Sequence, residues 1–210
     1  MPSKTKLIVA LAVVCLMVGA GYRLLTHLPY AWNPFYRLDP QPLVMQGGDP
    51  YIRALMRTIS ASESNDPDPY HLMYGGQHFS GDHRPNRCLP IHAGVNKGRC
   101  STAAGRYQML FSTWRTVSNR YLTPNAQGLI LFTPNNQDLA VYRWLQDHSS
   151  WQRHNFADML RANQLDQVLR VLSPTWTSLG YGIADNVFTQ RLPNVYQRML
   201  EQELHSTDSP

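Results

Sequence analysis

Between Pro50 and Glu63 the apolar residues Ile52, Leu55, Met56 and Ile59 recur at i, i+3, i+4 and i+7, the spacing that turns one stripe of an α-helix toward a core. Asp49 suits the N-cap and Pro50 the first helical position, so the sequence predicts a helix over Pro50–Glu63. Glu63 ends on the same stripe: eleven steps at 100° bring it to within about 20° of Ile52. Burial disfavours an ionised carboxylate, and the negative end of the helix dipole disfavours it further, so both predict an upward pKa. A rise of roughly two units keeps part of the group protonated near neutrality, as a general acid requires. A solvated Glu on a frayed last turn fits the same spacing.

The chain has 210 residues, enough for one ordinary domain and an appendage. Lys4 and Lys6 precede an apolar run from Leu7 to Ala20, with Arg23 the next charge. The run is long for a signal-peptide core and slightly short for a bilayer span, which takes about 17–25 residues. Val18-Gly19-Ala20 would pass as a cleavage site, and Ala12-Val13-Val14 before Cys15 makes no lipobox. Residues 1–22 are therefore expected to be a signal anchor, with a cleaved signal peptide as the alternative. Two lysines before the run against Arg23 and Arg37 after it leave its orientation open. Residues 23–47 carry Pro29, Pro34, Pro40 and Pro42 among aromatics and predict a semi-stiff tether. The folded domain is expected over 48–205 and a disordered tail over 206–210.

Cys88 and Cys100 enclose a short polar loop. A disulfide is expected there; it implies an oxidising compartment such as the periplasm and stabilises the excursion by roughly 2–3 kcal/mol. Free thiols, or half of a metal site, are the alternatives. Nineteen Lys and Arg stand against fourteen Asp and Glu, but four and one of these precede Gly48, so the domain's surplus is only two. That is no nucleic-acid footprint. An arginine-rich, lysine-poor domain does suit an anionic polymer whose carboxylates arginine can grip.

Tyr70–Tyr74 and Gln77–Phe79 flank Gly75-Gly76 and predict a hairpin. Ser80–Gly98 reads as loop. Helices are expected over 103–110, over 113–121 with Ser112 as cap, from Thr133-Pro134 to Gln146, over 155–162 and 165–172, and finally over 193–204. Ser173-Pro174 starts a short turn, and Gly180 and Gly182 mark a bend.

If Glu63 is an acid, a glycosidase would need a second carboxylate as nucleophile or water-activating base. Asp66, Asp68 and Asp82 are the near candidates, and no other acid appears until Asp138. The Asp and Thr that a phage-type inverting lysozyme places nine and fifteen residues after its Glu are absent; Leu72 and His78 stand there. One carboxylate suffices if the substrate supplies the nucleophile. The 6-hydroxyl of muramic acid can close on its own anomeric carbon while the same Glu first gives and then takes a proton.

Ala61-Ser62-Glu63-Ser64, Tyr70–Gly76, Phe79 with Asp82-His83, Ser101-Thr102-Ala103-Ala104-Gly105-Arg106-Tyr107-Gln108, and Ser173–Leu179 with Tyr181-Gly182 occur in that order. Over roughly Pro50–Leu204 this pattern resembles the lambda-phage endolysin family of lytic transglycosylases, and Glu63-Ser64 and Gly105-x-x-Gln108 echo signatures of the broader group. The resemblance implies a mainly helical α+β, lysozyme-like fold with a small β-hairpin lobe. It also implies cleavage of the peptidoglycan bond between N-acetylmuramic acid and N-acetylglucosamine without water, with Glu63 as sole acid/base. It requires no cofactor and no metal. His71 departs from the pattern, so no role transfers to it. The apolar N-terminus implies an inner-membrane anchor with the domain in the periplasm, serving phage lysis or an envelope-spanning machine.

Candidate sugar contacts are Ser64, Ser101, Thr102, Gly105, Tyr107 and Gln108, together with the ring faces of Tyr70, Trp176 and Tyr181. Capping or packing is the alternative role of each; Ser64 is also expected to orient Glu63 by a hydrogen bond, Gln108 to face the cleft, and Tyr181, beside two glycines, to offer a ring face ahead of Trp176. A hydrolytic lysozyme, a non-catalytic wall-binding module, or a zinc wall peptidase using His71, His78, His83, His92 and the cysteines are the competing functions; no histidine pair has helical ligand spacing.

Overall fold

The first helix, α1, forms over Pro50–Glu63 as its signals predict, and the Asp49 carboxylate accepts from the N–H groups of Tyr51 and Ile52. Ile52, Leu55, Met56 and Ile59 are at most 1% exposed, so the stripe is the centre of the core. The computed structural model describes residues 38–94, 96–181 and 189–207, which lie within one compact unit, Leu38–Pro210. The expected signal anchor at 1–22, the tether's first part at 23–37, Gly182 and the tail at 208–210 fall outside the described residues. Among the described residues no helix is long and apolar enough to cross a membrane.

Among the described residues five further α-helices surround α1: α2 (Phe111–Tyr121), α3 (Pro134–Gln146), α4 (Phe156–Arg161), α5 (Leu165–Leu172) and α6 (Leu192–Thr207). α1 packs chiefly on α6. Arg53 and Arg57 of α1 meet the buried Glu203 of α6, which fixes the register of the pair. Thr133 caps α3 and Asn155 caps α4. Trp144, Trp151, Trp176 and Phe156 form an aromatic cluster behind the core, with ring centroids 4.9 Å apart between Trp144 and Trp151 and 5.4 Å between Trp144 and Trp176. The fold is mainly helical with a two-stranded sheet, as expected for its class.

Four expectations need correction. Residues 103–110 are not helical: Gly105 (φ +76°) and Gln108 (φ +41°) take left-handed backbone, and Ala104 bridges to Met73 and Met109 instead. The hairpin around Gly75-Gly76 shrinks to a single Leu72–His78 bridge between 3₁₀ turns at Pro69–His71 and Tyr74–Gly76. The sheet closes off the expected loop: β1 (Leu89–Pro90), inside it, pairs antiparallel with β2 (Cys100–Ser101), just past its end, and Cys88 and Cys100 are joined by a disulfide. The last helix runs through Thr207, so residues 206–207 of the expected tail are ordered.

The tether is also not a free spacer over its described part. Leu38, Leu43 and Met45 are buried, and the backbone between them is held by side chains of the domain. Arg57 donates to Pro40 O, Arg106 to Gln41 O and Pro42 O, Arg53 to Met45 O, and Arg198 to Leu38 O. Asp138 accepts from the N–H groups of Val44 (2.7 Å) and Met45 (3.2 Å). A proline-rich segment leaves its carbonyls unpaired, and arginine forks satisfy them.

Candidate active site

The C-terminal end of α1 opens onto a groove of about 1040 Å³. Glu63 is half-buried in its wall. Ser178, in the 3₁₀ turn Thr177–Leu179, donates its hydroxyl to the Glu63 carboxylate, and Ser62 donates to Ser178 O at 2.9 Å, so that turn is clipped onto the end of α1. Burial raises the Glu63 pKa from 4.5 to about 7, against the opposing pull of the Ser178 hydroxyl. Glu63 is the sole acidic side chain among the described residues lining the groove.

Met73, Tyr74 and Gly75-Gly76 form one side of the groove, Thr175, Trp176 and Thr177 another, and Ile91 and Asn96 of the disulfide loop its lip. Of the sequence candidates, Ser101, Gln108 and Trp176 reach the groove with Glu63. The Gln108 amide donates to Gly105 O (2.9 Å) and Leu72 O (3.2 Å), which holds the side chain against the floor. Trp176 is 3% exposed and anchored through its indole N–H to Tyr107 O, so it contributes only an edge.

The other candidates are architectural. Ser64 is buried and donates to Arg106 O, so the orienting bond expected from it comes from Ser178. Tyr70 and Tyr107 are buried and donate to the two oxygens of Asp138, each at 2.7 Å. Arg106 closes this hub through Tyr70 Oη at 2.8 Å. Burial first, then the Asp138 charge, pushes both phenols well above their usual range. Thr102 accepts from Phe111 N–H at the start of α2. A Cβ on Gly105 would lie within 3 Å of Gln137 and Phe132, so this glycine serves close packing. Tyr181 turns onto α5, with its hydroxyl on Asp166 (2.9 Å) and its ring under Arg170.

Sequence reasoning missed Ser178, Tyr74, Thr175 and the Asp138 hub. For Ser178 no local signal existed, because its partner is 115 residues away. The metal alternative loses its thiolates to the disulfide, and among the described residues no three His, Cys, Asp or Glu side chains gather to hold an ion.

This arrangement of helices around a cleft is a lysozyme-like fold. It is similar to that of the lysozyme of bacteriophage lambda, solved in complex with a chitohexasaccharide, with a TM-score of 0.54 at 21% identity over 74% of this chain and 97% of that one. The family model described as Endolysin matches residues 53–202, and the chain belongs to the endolysin family. None of the curated proteins matches the sequence.

Proposed function

We propose that this endolysin is a lytic transglycosylase that cleaves the β-1,4 bond between N-acetylmuramic acid and N-acetylglucosamine, with Glu63 as its single acid/base. Family and fold support degradation of peptidoglycan. The observation that carries the finer reading is one proton-holding carboxyl, with a pKa of about 7, in a groove whose described lining holds no second acid.

Protonated Glu63 gives its proton to the departing glycosidic oxygen, and the bond from the muramic C1 to that oxygen breaks with its electron pair going to the oxygen. The resulting Glu63 carboxylate takes the proton of the muramic 6-hydroxyl as its oxygen bonds to C1, closing the 1,6-anhydro ring. The carboxyl ends as it began, and no water is consumed. Ser178 holds the carboxylate in position and stabilises it between the two transfers. With its N–H groups committed to the floor, Gln108 offers its carbonyl oxygen to an N-acetyl N–H. Tyr74 offers a ring face on the groove wall, suited to a pyranose.

A lysozyme hydrolysing through a carboxylate pair would need a second acid in the groove. The nearest sequence candidates, Asp66 and Asp68, instead pair with His78 and His71. The apolar run from Leu7 to Ala20 and the disulfide support a periplasmic domain, anchored in the inner membrane.

The test is release of muropeptides from purified sacculi by wild type and by Glu63→Gln. The account requires anhydro-ended products from the wild type and none from a folded Glu63→Gln protein. Activity surviving in that variant would overturn it.

A further inference from the structure

Between Asp82 and Asp138 the chain carries no acidic residue. Of the cations in that stretch, Arg84 donates to Thr102 O and Met109 O, Arg106 belongs to the Asp138 hub, and Arg120 pairs with Asp147. Apart from Arg115 on α2, the cations that remain are Arg87, Lys97 and Arg99, exposed and with no side-chain partner among the described residues. All three sit on or beside the loop closed by Cys88 and Cys100, the loop that also supplies Ile91, Ala93, Gly94 and Asn96 to the groove.

The described residues of this loop are tied together by backbone bonds. Besides the disulfide and the β1–β2 ladder, Ile91 N–H donates to Arg99 O (2.8 Å), Gly98 N–H to Ile91 O (3.0 Å) and Lys97 N–H to Gly94 O (3.1 Å). Three like charges gathered on so short a stapled segment repel one another, and among the described residues no carboxylate forms an ion pair with them. Such a lip complements an anion presented at the mouth of the groove.

We infer that the disulfide-stapled lip is a binding site for the stem-peptide carboxylates of peptidoglycan, with Arg87, Lys97 and Arg99 as its cations, so that the enzyme prefers peptide-bearing glycan to bare glycan. The inference rests on the proposed substrate. A strand stripped of peptide carries one lactoyl carboxylate per muramic unit, the carboxyl that the amide bond to the stem peptide otherwise masks. The stem peptide adds several carboxylates that project from the muramic unit whose C1 reacts, and arginine forks grip carboxylates in two-point fashion. The charges would steer and orient strands within a Debye length of the cleft, an effect that salt weakens.

The test compares initial rates on intact sacculi fragments and on the same strands stripped of peptide by an amidase, for wild type, Arg87→Gln/Lys97→Gln/Arg99→Gln, and Arg115→Gln as a control for an exposed arginine on α2. The wild type is expected to prefer peptide-bearing strands by roughly tenfold at low salt. The triple variant should lose most of that preference and the control should keep it. A wild-type ratio near one overturns the inference while leaving the transglycosylase reading standing. So does a ratio that the triple substitution leaves unchanged. Retention of the preference together with lost binding to anionic phospholipid vesicles would assign the lip to a membrane surface instead. No cleavage of either substrate by the wild type would sink the transglycosylase reading, and the inference with it.

Discussion

Glu63 holds its proton more tightly in the folded chain than an exposed carboxyl does, and that costs stability once the group ionises. Its pKa is 4.5 unfolded and about 7 folded. Below pH 4.5 both states bind the proton and the group is neutral in its effect. As pH rises from 4.5 toward 7 the unfolded chain releases the proton first, so folding stability falls, by roughly 3 kcal/mol once both states are ionised. Glu63→Gln removes that penalty. Calorimetry should find the variant more stable than wild type at pH 8 and equal to it near pH 4; equal stability at pH 8 would mean that folding does not raise the carboxyl's pKa. Activity should decline as pH rises past about 7. The Ser178 hydroxyl opposes the burial shift, so Ser178→Ala should move that alkaline limb upward and lower kcat more than KM, and Ser178→Thr should restore it. An unchanged pH–rate profile would remove Ser178 from the mechanism.

At the scale of elements, the disulfide loop is the piece whose order owes most to a cross-link. Its 12-residue separation corresponds to about 3 kcal/mol of loop-closure entropy. Reduction, or Cys88→Ser/Cys100→Ser, should lower Tm and loosen the lip, with faster amide exchange at Ile91 and Gly98 before any change at Ile59; uniform exchange would show that the loop is not a separate unit. The helices were largely legible, because Asp49-Pro50, Thr133-Pro134 and Asn155 are local signals and apolar period does the rest. Residues 103–110 misled for a physical reason. Their composition suits a helix, but Gly105 can take φ +76°, and its N–H finds Leu72 O across the chain. The pairing partner was invisible locally. That Glu63, Gln108 and Ser101 share one groove and that Cys88 pairs with Cys100 was legible from pattern, whereas Tyr70 and Tyr107, read as sugar contacts, form a buried hub on Asp138.

For the whole molecule, residues 38–47 belong to the domain. Leu38, Leu43 and Met45 together bury apolar surface worth roughly 5 kcal/mol, comparable to the net stability of an ordinary domain. Their backbone also satisfies Arg57, Arg106 and Asp138. A chain starting at Gly48 should therefore lose most of the stability that one starting at Leu38 has, by thermal or chemical denaturation. Equal stability of the two would make residues 38–47 an ornament on the domain. The proposed reading makes one chemical claim, that the sugar supplies its own nucleophile while Glu63, the sole acid among the described residues lining the groove, moves the proton. The most direct measurement is digestion of sacculi in ¹⁸O-labelled water followed by mass spectrometry of the new muramic ends. The account predicts unlabelled 1,6-anhydro ends, each one water lighter than a reducing sugar; reducing ends carrying ¹⁸O at C1 would contradict it.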